Sequence, residues 1–386
     1  MRPDEPGHIR GSWTLLVILV PLLLLGLPLL GAWIDGQALG PYLQFPPIPR
    51  PVQQPPFNAP LFTLMAAAIL LAVVPFMRRA LAGCCHRSGA ASRIPLPWWG
   101  WAGLSLGCLS WILAWNRFAW FAPLQPHTFA PLWLAYILVM NALTFRRRGE
   151  CLMTRRPGYF VLLFPVSAAF WWIFEYLNRF VANWHYQGVE GLSPLEYAVR
   201  ATIPFATVLP AVLSTYEWLR SCGNPVPKLA DYRPLQFQHP RCAAFAILGL
   251  AACGLAATSV YPTVLYPLLW LAPVAVMSAL RALLGFPTIF APLRRGDWRR
   301  LFLLAMAALI CGGFWEMWNM FSLARWEYTV PFVQRWHLFE MPVIGYTGYL
   351  TFGWECGIVA NMVGEFMRVP QSLPHRPPPD PMEIPW

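Results

Sequence analysis

Residues 314–328 read FWEMWNMFSLARWEY, and residues 173–186 read IFEYLNRFVANWHY. Each copy holds a glutamate (Glu316, Glu175) and an asparagine three residues on (Asn319, Asn178). A phenylalanine follows after two more (Phe321, Phe180), and then Trp-x-Tyr (Trp326 to Tyr328, Trp184 to Tyr186). Each copy also ends a long apolar run. The likeness extends outward. WLAYILVMNAL from Trp133 matches WLAPVAVMSAL from Trp270 at seven of eleven positions. Downstream, Pro204 stands thirteen residues before Glu217, and Pro342 thirteen before Glu355. Ordered matches at several places argue for a duplicated unit rather than chance likeness among Trp- and Leu-rich helices.

The composition says what kind of unit this is. Of 386 residues, 57% are hydrophobic and 12% charged, where a soluble domain carries about 25% charge. Apolar runs of membrane-crossing length recur. Ten spans are expected, at 13–33, 60–77, 97–116, 129–145, 159–182, 198–219, 242–259, 263–280, 301–322 and 343–366. The first is longer than a cleaved leader's apolar core and reads as a retained anchor. The net charge of +11 is a topology signal, not a nucleic-acid footprint. Most of the 28 Lys and Arg fall in alternate loops, which places both termini in the cytoplasm. The nine cysteines show no CxxC pair, so neither a disulfide framework nor a metal site is implied.

The expected fold is an all-α polytopic membrane protein. Residues 1–96 form a two-helix N-terminal unit with a proline-rich external loop from Phe45. Residues 97–220 and 242–366 are two four-helix repeats, joined by a cytoplasmic linker at 221–241 and followed by a proline-rich cytoplasmic tail at 367–386. An even number of spans per repeat keeps both copies in one orientation. Their pseudo-twofold axis then runs along the membrane normal, unlike that of inverted-repeat transporters.

Ionisable groups inside a membrane are costly, by about 2.5–3.5 kcal/mol on the lower scales, and they face the bundle interior or a cavity. Glu175 and Asn178 share a helical face, as do Glu316 and Asn319. Glu355 lies on the next helix. Arg179, one turn after Glu175, is an expected ion-pair partner for it, while Glu316 has Met320 at that position. Trp171 and Trp172 precede Glu175, whereas Gly312 and Gly313 precede Glu316. That bare face admits a close helix crossing or a substrate pocket. An unpaired carboxyl there is expected to be neutral and suited to general acid, proton-carrier or hydrogen-bond-donor roles. The blander reading makes both Glu/Asn pairs interhelical glue. Trp184, Tyr186, Trp326, Tyr328, Trp336, Tyr346 and Tyr349 fit an interfacial belt or, more sharply, a stacking surface for a substrate. His185, Glu190, Glu196, Glu327, His337 and Glu340 gather outside without metal-ligand spacing. No Walker A, GxGxxG, GxSxG or HExxH motif occurs, which disfavours ATP-driven transport and zinc proteolysis.

The run WEMWN, RWEY, FEMPVIGYTGY and WEC, residues 315–356, resembles a pattern of uncharacterised multi-pass bacterial inner-membrane proteins. PLE at Pro194 and FEMP at Phe339 are faintly similar to membrane-integral carotenoid cyclases and hydratases, which need no soluble cofactor domain. Their doubled P-x-E-E signature is absent here.

Three functions are open at this stage. One is an enzyme acting on a lipid or polyisoprenoid with Glu316 as acid or base, without a cofactor. A second is a transporter or channel whose carboxylate path runs past Glu355 to Glu217 or Glu365. The third is a non-catalytic assembly or lipid-binding protein. The expected partner in each case is a membrane lipid or other hydrophobic small molecule, not nucleic acid.

Overall fold

The computed structural model describes residues 6–49, 51–83, 94–223 and 226–368, with side chains from Gly11 to Met367. Cys84, Cys85, Arg87, Arg93 and the tail after Arg368 lie outside the described residues. Helix dominates, and a helix lies over each apolar run. The main ones are α1 (Pro6–Ile34), α2 (Ala59–Gly83), α3 (Trp98–Trp115), α4 (Phe129–Arg148), α5 (Pro157–Val181), α6 (Pro194–Phe205) and α7 (Val208–Ser221). They continue with α8 (Pro240–Thr258), α9 (Leu268–Leu283), α10 (Arg299–Met320) and α11 (Thr347–Arg368). Seven helical stretches, one of them α6 and α7 together, are long and apolar enough to cross a membrane. This is an all-α membrane-type architecture.

Proline sets the breaks. The run expected as one helix at 198–219 is two, α6 and α7, parted at Ala206 and Thr207. Pro210 has no N–H to reach the Ala206 carbonyl, so the ladder fails there. Ser167 of α5 mends the gap. Its hydroxyl donates to the Phe205 carbonyl at 2.6 Å and accepts from the Leu209 N–H at 3.0 Å. Freed backbone groups in an apolar bundle need such partners.

The centre is aromatic. Trp133 of α4 is fully buried and packs on Trp315 of α10 at 4.8 Å between ring centroids. Trp270 of α9 packs on Phe174 of α5 at 5.2 Å. Helix α4 also packs on α3 and α7, α9 on α8 and α11, and α10 on α7 and α11. Helix α2 is the least embedded. No residue of its most apolar stretch is fully buried, and it meets the bundle through partly buried Phe62, Met65, Ile69 and Phe76.

At one end of the bundle lie two short strands, β1 (Trp184–Gln187) after α5 and β2 (Arg325–Tyr328) after α10. They pair antiparallel, Trp184 with Tyr328, His185 with Glu327, Tyr186 with Trp326 and Gln187 with Arg325. A smaller hairpin joins β3 (His337–Leu338) to β4 (Met341–Pro342). The proline-rich loop docks on this face. Phe332 exchanges backbone bonds with Pro55 and Asn58, and the Gln54 amide donates to the Val181 carbonyl at 3.0 Å.

Candidate active site

The two asparagines hold the strands. The Asn178 amide donates to the Trp184 carbonyl at 2.8 Å, and its oxygen accepts from the Asn183 N–H, also at 2.8 Å. Asn319 donates to the Trp326 carbonyl at 2.7 Å and accepts from the Trp326 N–H at 2.8 Å. Each side chain thus acts like a strand residue at the helix end and fixes where Trp-x-Tyr begins. Both amides, expected as part of the catalytic site, bond strand backbone.

The fixed strands deliver donors to the glutamates. Glu175 and Glu316 are fully buried. Oε1 of Glu175 accepts from the Trp171 indole at 2.9 Å, the Trp184 indole at 3.2 Å and the Tyr186 hydroxyl. Oε1 of Glu316 accepts from the Tyr328 hydroxyl at 2.8 Å and the Tyr349 hydroxyl at 2.6 Å. The Trp326 indole donates in turn to the Tyr328 oxygen at 2.9 Å. In both sites Oε2 is buried without a partner, a state that costs about 1–3 kcal/mol. Burial first, then the nearby carboxyl, hold the Tyr186 and Tyr328 hydroxyls well above the ordinary tyrosine range. They remain donors at neutral pH.

Three expectations are corrected here. Arg179 does not pair with Glu175. Its guanidinium turns to the Pro41, Tyr42 and Gln44 carbonyls and lies over the Tyr176 ring. A residue one turn on shares the helix face, but Glu175 is drawn inward by ring donors while Arg179 reaches the loop. Gly312 serves the close crossing of α10 with α11 and not a pocket, because a Cβ there would run into the Tyr349 ring. Gly313 has nothing near its missing Cβ, and it does not line the cavity described below. In the first copy Trp171 stands where Gly312 stands in the second, and small Ala211 stands where Tyr349 does.

Trp184, Tyr186, Trp326 and Tyr328 do line a cavity, of about 640 Å³, together with Tyr349 and Trp315. Its walls are mostly apolar and aromatic. Met65, Ile69 and Phe76 of the outlying α2 close one side, and Trp298 and Leu301 line it at the far end from the strands. A cavity of this size and lining suits a hydrophobic ligand. Sequence reasoning did not tie Tyr349 or Trp171 to the glutamates, nor Arg200 or Arg325 to a cavity wall. Tyr349 lies 33 residues from Glu316, and no local spacing links the two.

Glu355 sits elsewhere. It is fully buried, no side chain donates to it, and the Val274 N–H approaches at looser geometry. Glu217 pairs with Arg220 at 3.0 Å, and Glu365 with Arg281 at 2.6 Å. On the strand face, Glu327 meets Arg325 at 3.0 Å and His185 at 3.6 Å. Partial burial pushes its carboxyl up, but hydrogen bonds from Arg325 and Gln187 outweigh this and leave it below the ordinary carboxylate value. Among the described residues no group of three His, Cys, Asp or Glu is placed to hold a metal.

Fold and site together define a helical, membrane-type protein with tyrosine-capped carboxyls against an apolar cavity. No protein-family model, no curated protein and no solved structure matches the chain.

Proposed function

We propose that the chain is an integral inner-membrane enzyme that acts on a lipid or polyisoprenoid by acid/base chemistry at Glu316. One observation carries this reading. Tyr328 and Tyr349 both line the apolar cavity and both donate to a single oxygen of a fully buried carboxyl. The bonds run in the direction of a base. A substrate proton passes to a tyrosine oxygen while the tyrosine's own proton moves to Oε1, and the reverse transfer returns a proton to the substrate. A buried carboxyl tied to a positioned hydroxyl is the arrangement such transfer needs. Glu175 and Tyr186 form the corresponding dyad in the first copy. Trp184 and Trp326 are the proposed stacking residues for the chain of the substrate.

The same reading takes the architecture as ten spans in a two-helix unit and two four-helix repeats, at the boundaries given above, with both termini cytoplasmic. Paired contacts support it. Trp133 meets Trp315 as Trp270 meets Phe174, and each residue corresponds to the other copy's partner. Each Trp of Trp-x-Tyr pairs across the strands with the other copy's Tyr, about His185 and Glu327 at the centre. A transport path past Glu355 finds less support, since Glu217 and Glu365 are held by arginines.

Lipid analysis of the purified protein tests the proposal. A long-chain lipid or polyisoprenoid enriched over the surrounding membrane is expected, and depleted in Ala72→Trp, which fills the cavity from α2. A lipid profile equal to the bulk membrane in both proteins would contradict it.

A further inference from the structure

The cavity is apolar along most of its wall, yet two of its lining residues are charged, and both are arginines. Among the described residues no Asp, Glu, Lys or His lines it beside Arg200 and Arg325. Both stand toward the strand end, where Gln187, Gly188 and Leu192 also form the wall. Arg325 gives one NH2 hydrogen bond to Glu327 at 3.0 Å, while its Nε is buried without a partner. The acids nearest in sequence do not line the cavity, although Glu327 bonds Arg325 and the charge of Arg200 reaches Glu196. Glu196 is occupied with the Ser193 N–H and hydroxyl at the start of α6, and Glu327 with Arg325, Gln187 and His185. Another polar residue stands in this wall. Asn183 is 3% exposed and lines the wall, and its side-chain oxygen is buried without a partner.

From this charge pattern we infer that the occupant is an anionic amphiphile, a membrane lipid with one phosphate-type head held by Arg200 and Arg325. Its apolar chain runs along the aromatic wall toward α2. The inference rests on the amphiphile-cavity reading above and adds the charge of the head. The guanidinium of Arg325 carries more N–H groups than its bond to Glu327 uses, and arginine forks match phosphate oxygens in pairs. The head lies at the strand end and the chain passes Tyr328 and Tyr349, so the bond that reacts belongs to the chain near the head.

The test uses the full-length protein in a neutral maltoside detergent, with hexadecyl phosphate, hexadecanol and inorganic phosphate as probes and native mass spectrometry as readout. Hexadecyl phosphate is expected to bind about tenfold or more tightly than hexadecanol, the effect of a charge-assisted hydrogen bond. Inorganic phosphate is expected not to compete. Arg200→Gln with Arg325→Gln is expected to erase the preference while leaving hexadecanol binding unchanged, and Arg200→Lys with Arg325→Lys to keep part of it. Ala72→Trp is expected to weaken both long-chain probes. Equal binding of the two long-chain probes to the unmodified protein overturns the anionic head and leaves the amphiphile cavity standing. Equal competition by inorganic phosphate overturns the lipid as the source. If neither long-chain probe binds, the cavity reading itself fails.

Discussion

The hydroxyl of Tyr349 donates to Oε1 of Glu316 at 2.6 Å, and its ring fills the space that Gly312 leaves bare. In the first copy Trp171, on Glu175's own helix, donates to that carboxyl at 2.9 Å. The two copies therefore satisfy the same carboxyl from different helices, by exchanging a large and a small residue between them.

This exchange predicts a coupled pair of substitutions. Gly312→Trp is expected to destabilise the protein by about 1–3 kcal/mol, the usual cost of overfilling a packed site. Combined with Tyr349→Ala, it is expected to recover much of that loss, because the indole then has the room that Trp171 has beside Ala211. Gly313→Trp, with open space at its Cβ, is expected to be neutral. Thermal unfolding in detergent of the parent, Gly312→Trp, Tyr349→Ala, their double variant and Gly313→Trp checks this. An additive double variant would contradict the exchange.

Much of this was legible in the sequence, and the division has physical causes. The Glu/Asn faces follow from helical spacing, and the likeness of the two motif stretches follows from ordered matches, so both could be read locally. The pairing of β1 with β2 could not. Its partners lie about 140 residues apart, and four-residue segments between apolar runs carry little strand signal. The roles within the motif were also hidden, because Asn178 and Asn319 bond the backbone of strands that sequence does not announce. Helix α2 reads like any other span. That it touches the bundle along one side only and closes a cavity there depends on distant partners such as Trp298 and Trp336.

Arg281 makes a second prediction. It is fully buried, and its guanidinium donates to both oxygens of Glu365, at 2.6 and 2.9 Å, and to the Pro287 carbonyl. Arg281→Met alone strands a carboxylate and is expected to cost about 3–5 kcal/mol. Arg281→Met with Glu365→Leu is expected to restore most of it, since an apolar pair removes the stranded charge. Unfolding midpoints read the result. A double variant as unstable as the single one would mean that the Pro287 contact carries the effect.

The arginine distribution makes a third. Reporter fusions near Arg147, Arg233 and Arg295 are expected on the cytoplasmic side, and those near Glu190 and Arg335 on the other. Structure and charge concur on the grouping, because the strand-bearing end of α5 and α10 lies opposite their arginine-flanked starts. A mixed pattern, with Arg147 and Arg295 on opposite sides, would break the parallel-repeat reading.

The most direct measurement compares Glu316→Gln with Glu316→Leu, scoring turnover of the co-purified lipid and thermal stability on the same preparations. Gln keeps the volume and still accepts from Tyr328 and Tyr349, but it cannot take up the tyrosine's proton. Gln is expected to abolish turnover with stability nearly unchanged, Leu to lose both, and Glu175→Gln to be milder for turnover. Full turnover in Gln, with stability lost only in Leu, would reduce Glu316 to a hydrogen-bonding group of the fold.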